Sequence, residues 1–202
     1  MQKIMFYLCK IKALRLLLID NYDSFTYNIV EQLRCLQINE IQIKKNDEID
    51  AHKASHYDKI IISPGPATPR ESGNIISIIR SLTSTHSILG ICLGHQAIAE
   101  ALGGKLSQLS NPLHGYQTTI KTNKSHSIFK GIDMPCKVGL YHSWYVDENH
   151  LPDCLEITSH SKEGIIMSIK HKLFDIHGVQ FHPESYMTKD GLEIIKNFLG
   201  AK

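Results

Sequence analysis

A cysteine stands between two glycines in Gly90-Ile91-Cys92-Leu93-Gly94. A short apolar segment, Ser87-Ile88-Leu89, leads into it, and a helix-forming one, Gln96-Ala97-Ile98-Ala99-Glu100-Ala101-Leu102, follows. Strand, tight turn, helix is the arrangement that exposes a nucleophile at the carboxyl end of a strand. The glycines are expected to supply the sharp turn and to let backbones approach where a Cβ would block them. A sulfur placed there lies near a helix N-terminus, whose partial positive charge favours the thiolate. Far downstream, the strand-like run Gly178-Val179-Gln180-Phe181 ends in His182-Pro183-Glu184-Ser185. The proline restricts the backbone between histidine and carboxylate. A thiol nucleophile needs a base, and the base needs a third group to orient it. Cys92, His182 and Glu184 supply those chemistries. Alone, the first block also fits a buried cysteine in an ordinary strand-to-helix turn, and the second a surface turn. Together they argue for covalent catalysis.

A third block, Ser63-Pro64-Gly65-Pro66-Ala67, stops another apolar strand. By itself it is a plain strand-terminating turn. Beside a nucleophile it offers a place for an oxyanion hole. The backbone donors would be the N–H of Leu93, just after the cysteine, and that of Gly65. Pro66 has no N–H to give.

These residues need elements that bring strand ends together. Leu16 to Ile19 is a continuous apolar run, as in a strand buried on both faces. Thr26 to Leu36 has helical spacing, with Ile29, Leu33 and Leu36 on one face. Strands follow at 41–45 and 59–63, a helix at 74–82, the elbow strand at 87–91, and its helix at 96–102, ended by Gly103-Gly104. The second half is strand-rich, at 117–121, 137–141, 155–159, 165–170 and 176–181, and closes with a helix at 191–199. The pattern predicts an α/β fold: a mostly parallel, doubly wound, flavodoxin-like sheet with an antiparallel extension. In such sheets ligands bind at the carboxyl ends of the strands. Residues 1–13, with Lys3, Lys10 and Lys12, read as an extension before one domain over 14–202. Their apolar part is too short for a secretory leader, and Met5 offers an alternative start.

Composition is that of a globular enzyme: 202 residues, 42% hydrophobic, 21% charged, net charge +2. That balance gives no pull towards nucleic acid, and Lys44-Lys45 reads as part of a solvated face. Five cysteines, Cys9, Cys35, Cys92, Cys136 and Cys154, are widely spaced and odd in number. They suggest neither a disulfide framework nor a zinc site. A reducing, cytoplasmic setting is expected. Most of the twelve histidines read as surface or partly buried groups. No apolar run is long enough to span a bilayer.

The chain resembles the class I, or triad, glutamine amidotransferases. Within them it is similar to the glutaminase subunits of anthranilate synthase and of aminodeoxychorismate synthase. Four blocks carry the likeness: Leu17 to Asn28, with its Asp20-Asn21-Tyr22-Asp23-Ser24-Phe25-Thr26 core; Ser63 to Pro69; Gly90 to Gln96; and His182 to Ser185. The first narrows the likeness to the chorismate-using branch. The resemblance implies that L-glutamine is the substrate and that Gly65, Pro66, Ala67, Gln96, Ser143 and Trp144 bind it. It implies a chorismate-using synthase subunit as partner, as part of a heteromer serving tryptophan or folate biosynthesis. No cofactor or metal is expected in this subunit, magnesium belonging to the synthase partner. The loop 111–115 is a candidate for the interface, or an ordinary solvent loop. Two departures stand out: Ala67 replaces a usual glycine and Trp144 a common leucine. Rival readings are a catalytically silent regulatory subunit and a cysteine hydrolase or peptidase. The intact Cys92, His182 and Glu184 oppose the first, the Pro-Gly-Pro block the second.

Overall fold

A computed structural model describes residues 14–122 and 127–200. The extension and its alternative start lie outside the described residues. Two sheets carry the fold. The larger has strands β1 (Leu16–Asp20), β2 (Ile41–Lys45), β3 (Lys59–Ile62), β4 (Ser87–Ile91), β7 (Leu155–His160), β8 (Ile166–His171) and β9 (Ile176–Val179). Their order across the sheet is β2-β1-β3-β4-β9-β8-β7. β2, β1, β3, β4 and β9 are parallel, whereas β8 and β7 join antiparallel. The smaller sheet is an antiparallel pair, β5 (Leu106–Ile120) and β6 (Cys136–Val146). The expected doubly wound sheet with an antiparallel extension is therefore present.

Alternation along the strands feeds two cores. Leu16 and Leu18 face one side, with Ile29 and Leu33 of helix α1 (Thr26–Cys35) and Ile194 and Phe198 of helix α5 (Gly191–Leu199). Leu17 and Ile19 face the other, with Ile75 and Ile78 of helix α3 (Ile75–Leu82) and Ala97 and Ile98 of helix α4 (Leu93–Ala101). Apolar residues on both faces explain why β1, β3 and β4 read as unbroken hydrophobic runs.

Several expectations shift. A single turn, α2 (Ala51–Ala54), follows β2, capped by the Asp50 side chain on Lys53 N–H. The elbow helix starts at Leu93 rather than Gln96. Residues 111–115, read as a loop, lie inside β5, whose ladder is broken by register shifts between Gln108 and Leu113 and between His114 and Tyr116. The bulges explain the loop-like composition of that stretch. β9 stops at Val179, so Phe181 and His182 belong to the turn beyond it. Lys44 is exposed, as a solvated face requires, whereas Lys45 is partly buried: it pairs with buried Asp20 and lies over the Tyr22 ring at 4.5 Å. Most of the described histidines are exposed or partly buried, as expected, while His95, His142, His171, His177 and His182 are buried. No helix among the described residues is long and apolar enough to cross a membrane.

Candidate active site

The carboxyl ends of β1, β3, β4 and β9 open into one cavity of about 550 Å³. It is lined by Gly65, Pro66, Ala67, Cys92, Gln96, Ser143, Trp144 and His182, among others. Of the residues expected at the site, Leu93 and Glu184 sit behind this lining rather than in it. Both are buried.

Cys92 occupies the elbow with φ +50° and ψ −99°. The cysteine itself carries the left-handed turn; the flanking glycines supply space instead. A Cβ on Gly90 would lie 2.3 Å from the Gly94 carbonyl oxygen, and one on Gly94 would lie 2.5 Å from that of Ile62. Strand β4 thus passes the first turn of α4 closer than any side chain permits. Leu93 is the first residue of α4, so its N–H has no carbonyl one turn back to bond. Gly65 packs as tightly, for a Cβ there would lie 2.6 Å from Asn21 Cβ. Below it, Ser63 Oγ accepts from the Asn21 N–H at 2.9 Å and donates to the Pro64 carbonyl at 2.6 Å. These buried bonds tie the loop after β3 to the loop after β1.

His182 donates from Nδ1 to Glu184 Oε1 at 2.7 Å, and both side chains are almost fully buried. The turn that carries them is held from several elements. His182 N–H donates to Gly139 of β6, Thr188 Oγ1 donates to the His182 carbonyl, and Gln32 of α1 donates to the Pro183 carbonyl. The imidazole is edge-on to Phe25 and Tyr141, with ring centroids 5.6 and 4.9 Å away. Burial alone would lower its pKa; Glu184 and Cys92 together hold it well above the ordinary histidine value. Cys92 raises it both by charge and by a hydrogen-bonding contact across the site. A thiol, an imidazole and a carboxylate in this relation form the set that nucleophilic acyl transfer requires.

The Trp144 carbonyl accepts from Gln96 Nε2 at 2.7 Å and from His142 Nδ1 at 2.9 Å. Both lone pairs are taken, so that carbonyl is not open to a ligand. Gln96 Nε2 also donates to Gln180 Oε1 at 3.2 Å. With both its hydrogens committed, Gln96 can offer the cavity only its oxygen, an acceptor. Ala67 has φ +64°, the left-handed region that its usual glycine would occupy freely.

Sequence reasoning missed the fully buried Gln180, the buried His95 and His142, and the cavity residues Asp23, Phe25 and Tyr141. Burial raises the Asp23 carboxyl from its ordinary value. The available signal was a lone glutamine in the otherwise apolar run Gly178-Val179-Gln180-Phe181.

Fold and site together define an amidotransferase of the triad type. The family model for class-I glutamine amidotransferases matches residues 17–201, and the chain belongs to that family. It is 42% identical over 191 residues to an anthranilate synthase component 2 of Pseudomonas putida, covering 91% of this chain and 96% of that one. It is 41% identical over 186 residues to the aminodeoxychorismate/anthranilate synthase component 2 of Bacillus subtilis, covering 91% and 95%. Its fold matches the crystal structure of a glutamine amidotransferase from Thermotoga maritima with TM-score 0.72, over 94% of this chain and 82% of that one, at 18% identity.

Proposed function

We propose that this chain is the glutaminase subunit of anthranilate synthase. It hydrolyses L-glutamine and passes ammonia to a chorismate-using synthase subunit. The observation that carries the reading is that His182, held 2.7 Å from buried Glu184 behind it, shares one cavity with the elbow cysteine. The mechanism follows from that geometry. Cys92 Sγ attacks the side-chain carboxamide carbon, and the N–H groups of Leu93 and Gly65 receive the developing oxyanion. His182, held protonated beside Glu184, gives its proton to the departing nitrogen, and ammonia leaves as the thioester forms. The now neutral His182 takes a proton from water, whose oxygen attacks the thioester. Glutamate is released and the thiolate returns. Gln96 Oε1 accepts from a donor on the substrate, and Pro66, Ala67, Ser143 and Trp144 shape its pocket. No cofactor takes part in these steps, and magnesium is assigned to the synthase partner.

The relative named for both aminodeoxychorismate and anthranilate synthase supports a second reading in which one chain serves both synthases. The test is Cys92→Ala combined with each synthase subunit in turn. Glutamine-dependent product should fall by more than about a thousandfold, while product from added ammonium salt should persist. The synthase that gains glutamine dependence from the unaltered chain identifies the pathway. Glutamine-dependent turnover retained in Cys92→Ala refutes the reading.

A further inference from the structure

Gln180 lies just beyond β9, fully buried, two residues before the histidine. Its backbone N–H donates to the Met167 carbonyl at 2.9 Å, which fixes its Cα. Its side chain makes two hydrogen bonds among the described residues: Nε2 lies 3.6 Å from Cys92 Sγ, and Oε1 accepts from Gln96 at 3.2 Å. An amide carries a donor end and an acceptor end of equal shape, so its direction must be earned from its neighbours. Here a carbonyl decides it. The Trp144 oxygen can only accept, so the Gln96 group that meets it at 2.7 Å must be the nitrogen. The second hydrogen of that nitrogen points at Gln180, where only an oxygen can receive it. The amide nitrogen of Gln180 is therefore the end that faces the sulfur.

We propose that Gln180 is a positioning residue for the nucleophile, its N–H holding the Cys92 sulfur as a thiolate turned towards His182. The inference rests on Cys92 being the nucleophile. A donor to an ionised sulfur is a charge-assisted bond, worth more in a buried site than a bond to the neutral thiol. It strengthens when the sulfur is anionic, so it favours that form and fixes its rotamer. The elbow sets where the Cys92 backbone stands, and Gln180 sets where its sulfur points. The relay also starts at Trp144 and passes through Gln96, both cavity residues, so the donor is held by the segments that meet substrate.

The test is the pH profile of Cys92 alkylation by iodoacetamide in the full chain, with labelling mapped by mass spectrometry. Gln180→Met removes the donor at similar volume. Gln180→Glu keeps the shape and the acceptor to Gln96 but puts an oxygen against the sulfur. Both should shift the profile to higher pH by about one unit, with alkylation at neutral pH slowed about tenfold. Glutaminase kcat should fall in step, with KM within about twofold. Gln180→Asn, whose amide is one methylene short, should not restore the profile. If Gln180→Met fails to fold, Gln180→Glu carries the same comparison. A wild-type alkylation profile in either folded variant overturns the proposal. Absence of glutaminase activity in the unaltered chain, with Gln180-dependent alkylation intact, would instead reject the function proposed above and leave this assignment standing.

Discussion

Ala67 bears a cost that glycine would not. At φ +64° its Cβ crowds the neighbouring carbonyl, a conformation worth about 1–2 kcal/mol against an L-residue. Glycine loses more freedom on folding, which returns about 0.4–1 kcal/mol. Ala67→Gly should therefore raise stability by roughly 0.5–1 kcal/mol, read from urea unfolding. A loss of glutaminase activity in that variant would mean the methyl group itself packs against substrate. In the proposed mechanism the two side chains are not equivalent: His182 would move protons in both half-reactions and Glu184 would orient it, so His182→Asn should cost about a thousandfold in kcat and Glu184→Gln less. Steady-state ammonia release from both variants measures the difference. That Cys92, Gly65 and His182 would meet at one strand-end site, with Leu93 and Glu184 just behind, was legible because each proposed role demands a particular chemistry at a particular place. Gln180 was not, because its role depends on which end of an amide faces the sulfur, and sequence carries no trace of that.

The elements around the elbow leave no room for adjustment. A Cβ on Gly94 would stand 2.5 Å from the Ile62 carbonyl oxygen, a backbone atom within the sheet. Gly94→Ala must push α4 away from β3. It should cost about 1–3 kcal/mol, and alkylation of Cys92 should slow by more than the stability loss explains. Urea unfolding and iodoacetamide kinetics on the same sample separate the two effects. Sequence made β1 to β4 readable because strands buried on both faces become apolar runs bounded by turn residues. It found only the end of β5, at 117–121, and missed the rest, where Asn111, Pro112 and Gly115 look like loop residues yet sit in a bulged strand. Bulges accept such residues because the ladder is already interrupted there. It also ran β9 on to Phe181, since a buried turn leading into a site is as apolar as the strand before it. The short α2 has one turn and no periodicity to detect.

At the scale of the whole molecule, buried histidines set the acid limit. Burial pushes His95 down to about 3 and His142 down to about 4. Both nitrogens of His95 and Nε2 of His142 lack hydrogen-bond partners among the described residues. Each ring is neutral in the fold but protonates near pH 6.5 once unfolded. The unfolded chain then binds more protons, so their stabilisation is complete above pH 6.5 and lost as pH falls below it. Between pH 6.5 and about 4 the pair should remove roughly 2–3 kcal/mol per pH unit. His182 adds nothing in that window, because its raised value leaves it protonated in both states. Its own contribution is lost only as pH rises through that value. Asp20 also stays out of the window: burial would raise it, yet Lys45, Thr26 and the Asp23 N–H hold it below the usual carboxylate range. Urea midpoints from pH 7 to pH 4.5 should show the slope, and His142→Gln should reduce it by about half. A flat profile would mean that both rings find a proton or a partner in the native state.

β9 enters the large sheet between β4 and β8, although it comes last in chain order among the described strands. The β7–β8 hairpin reaches the parallel strands only through it. A ribosome therefore makes the sulfur long before it makes the imidazole. Until residues 176–182 emerge and slot into the middle of the sheet, a nascent chain has its cysteine but no base facing it. The order of translation keeps the reactive pair apart until this strand of the sheet has been made.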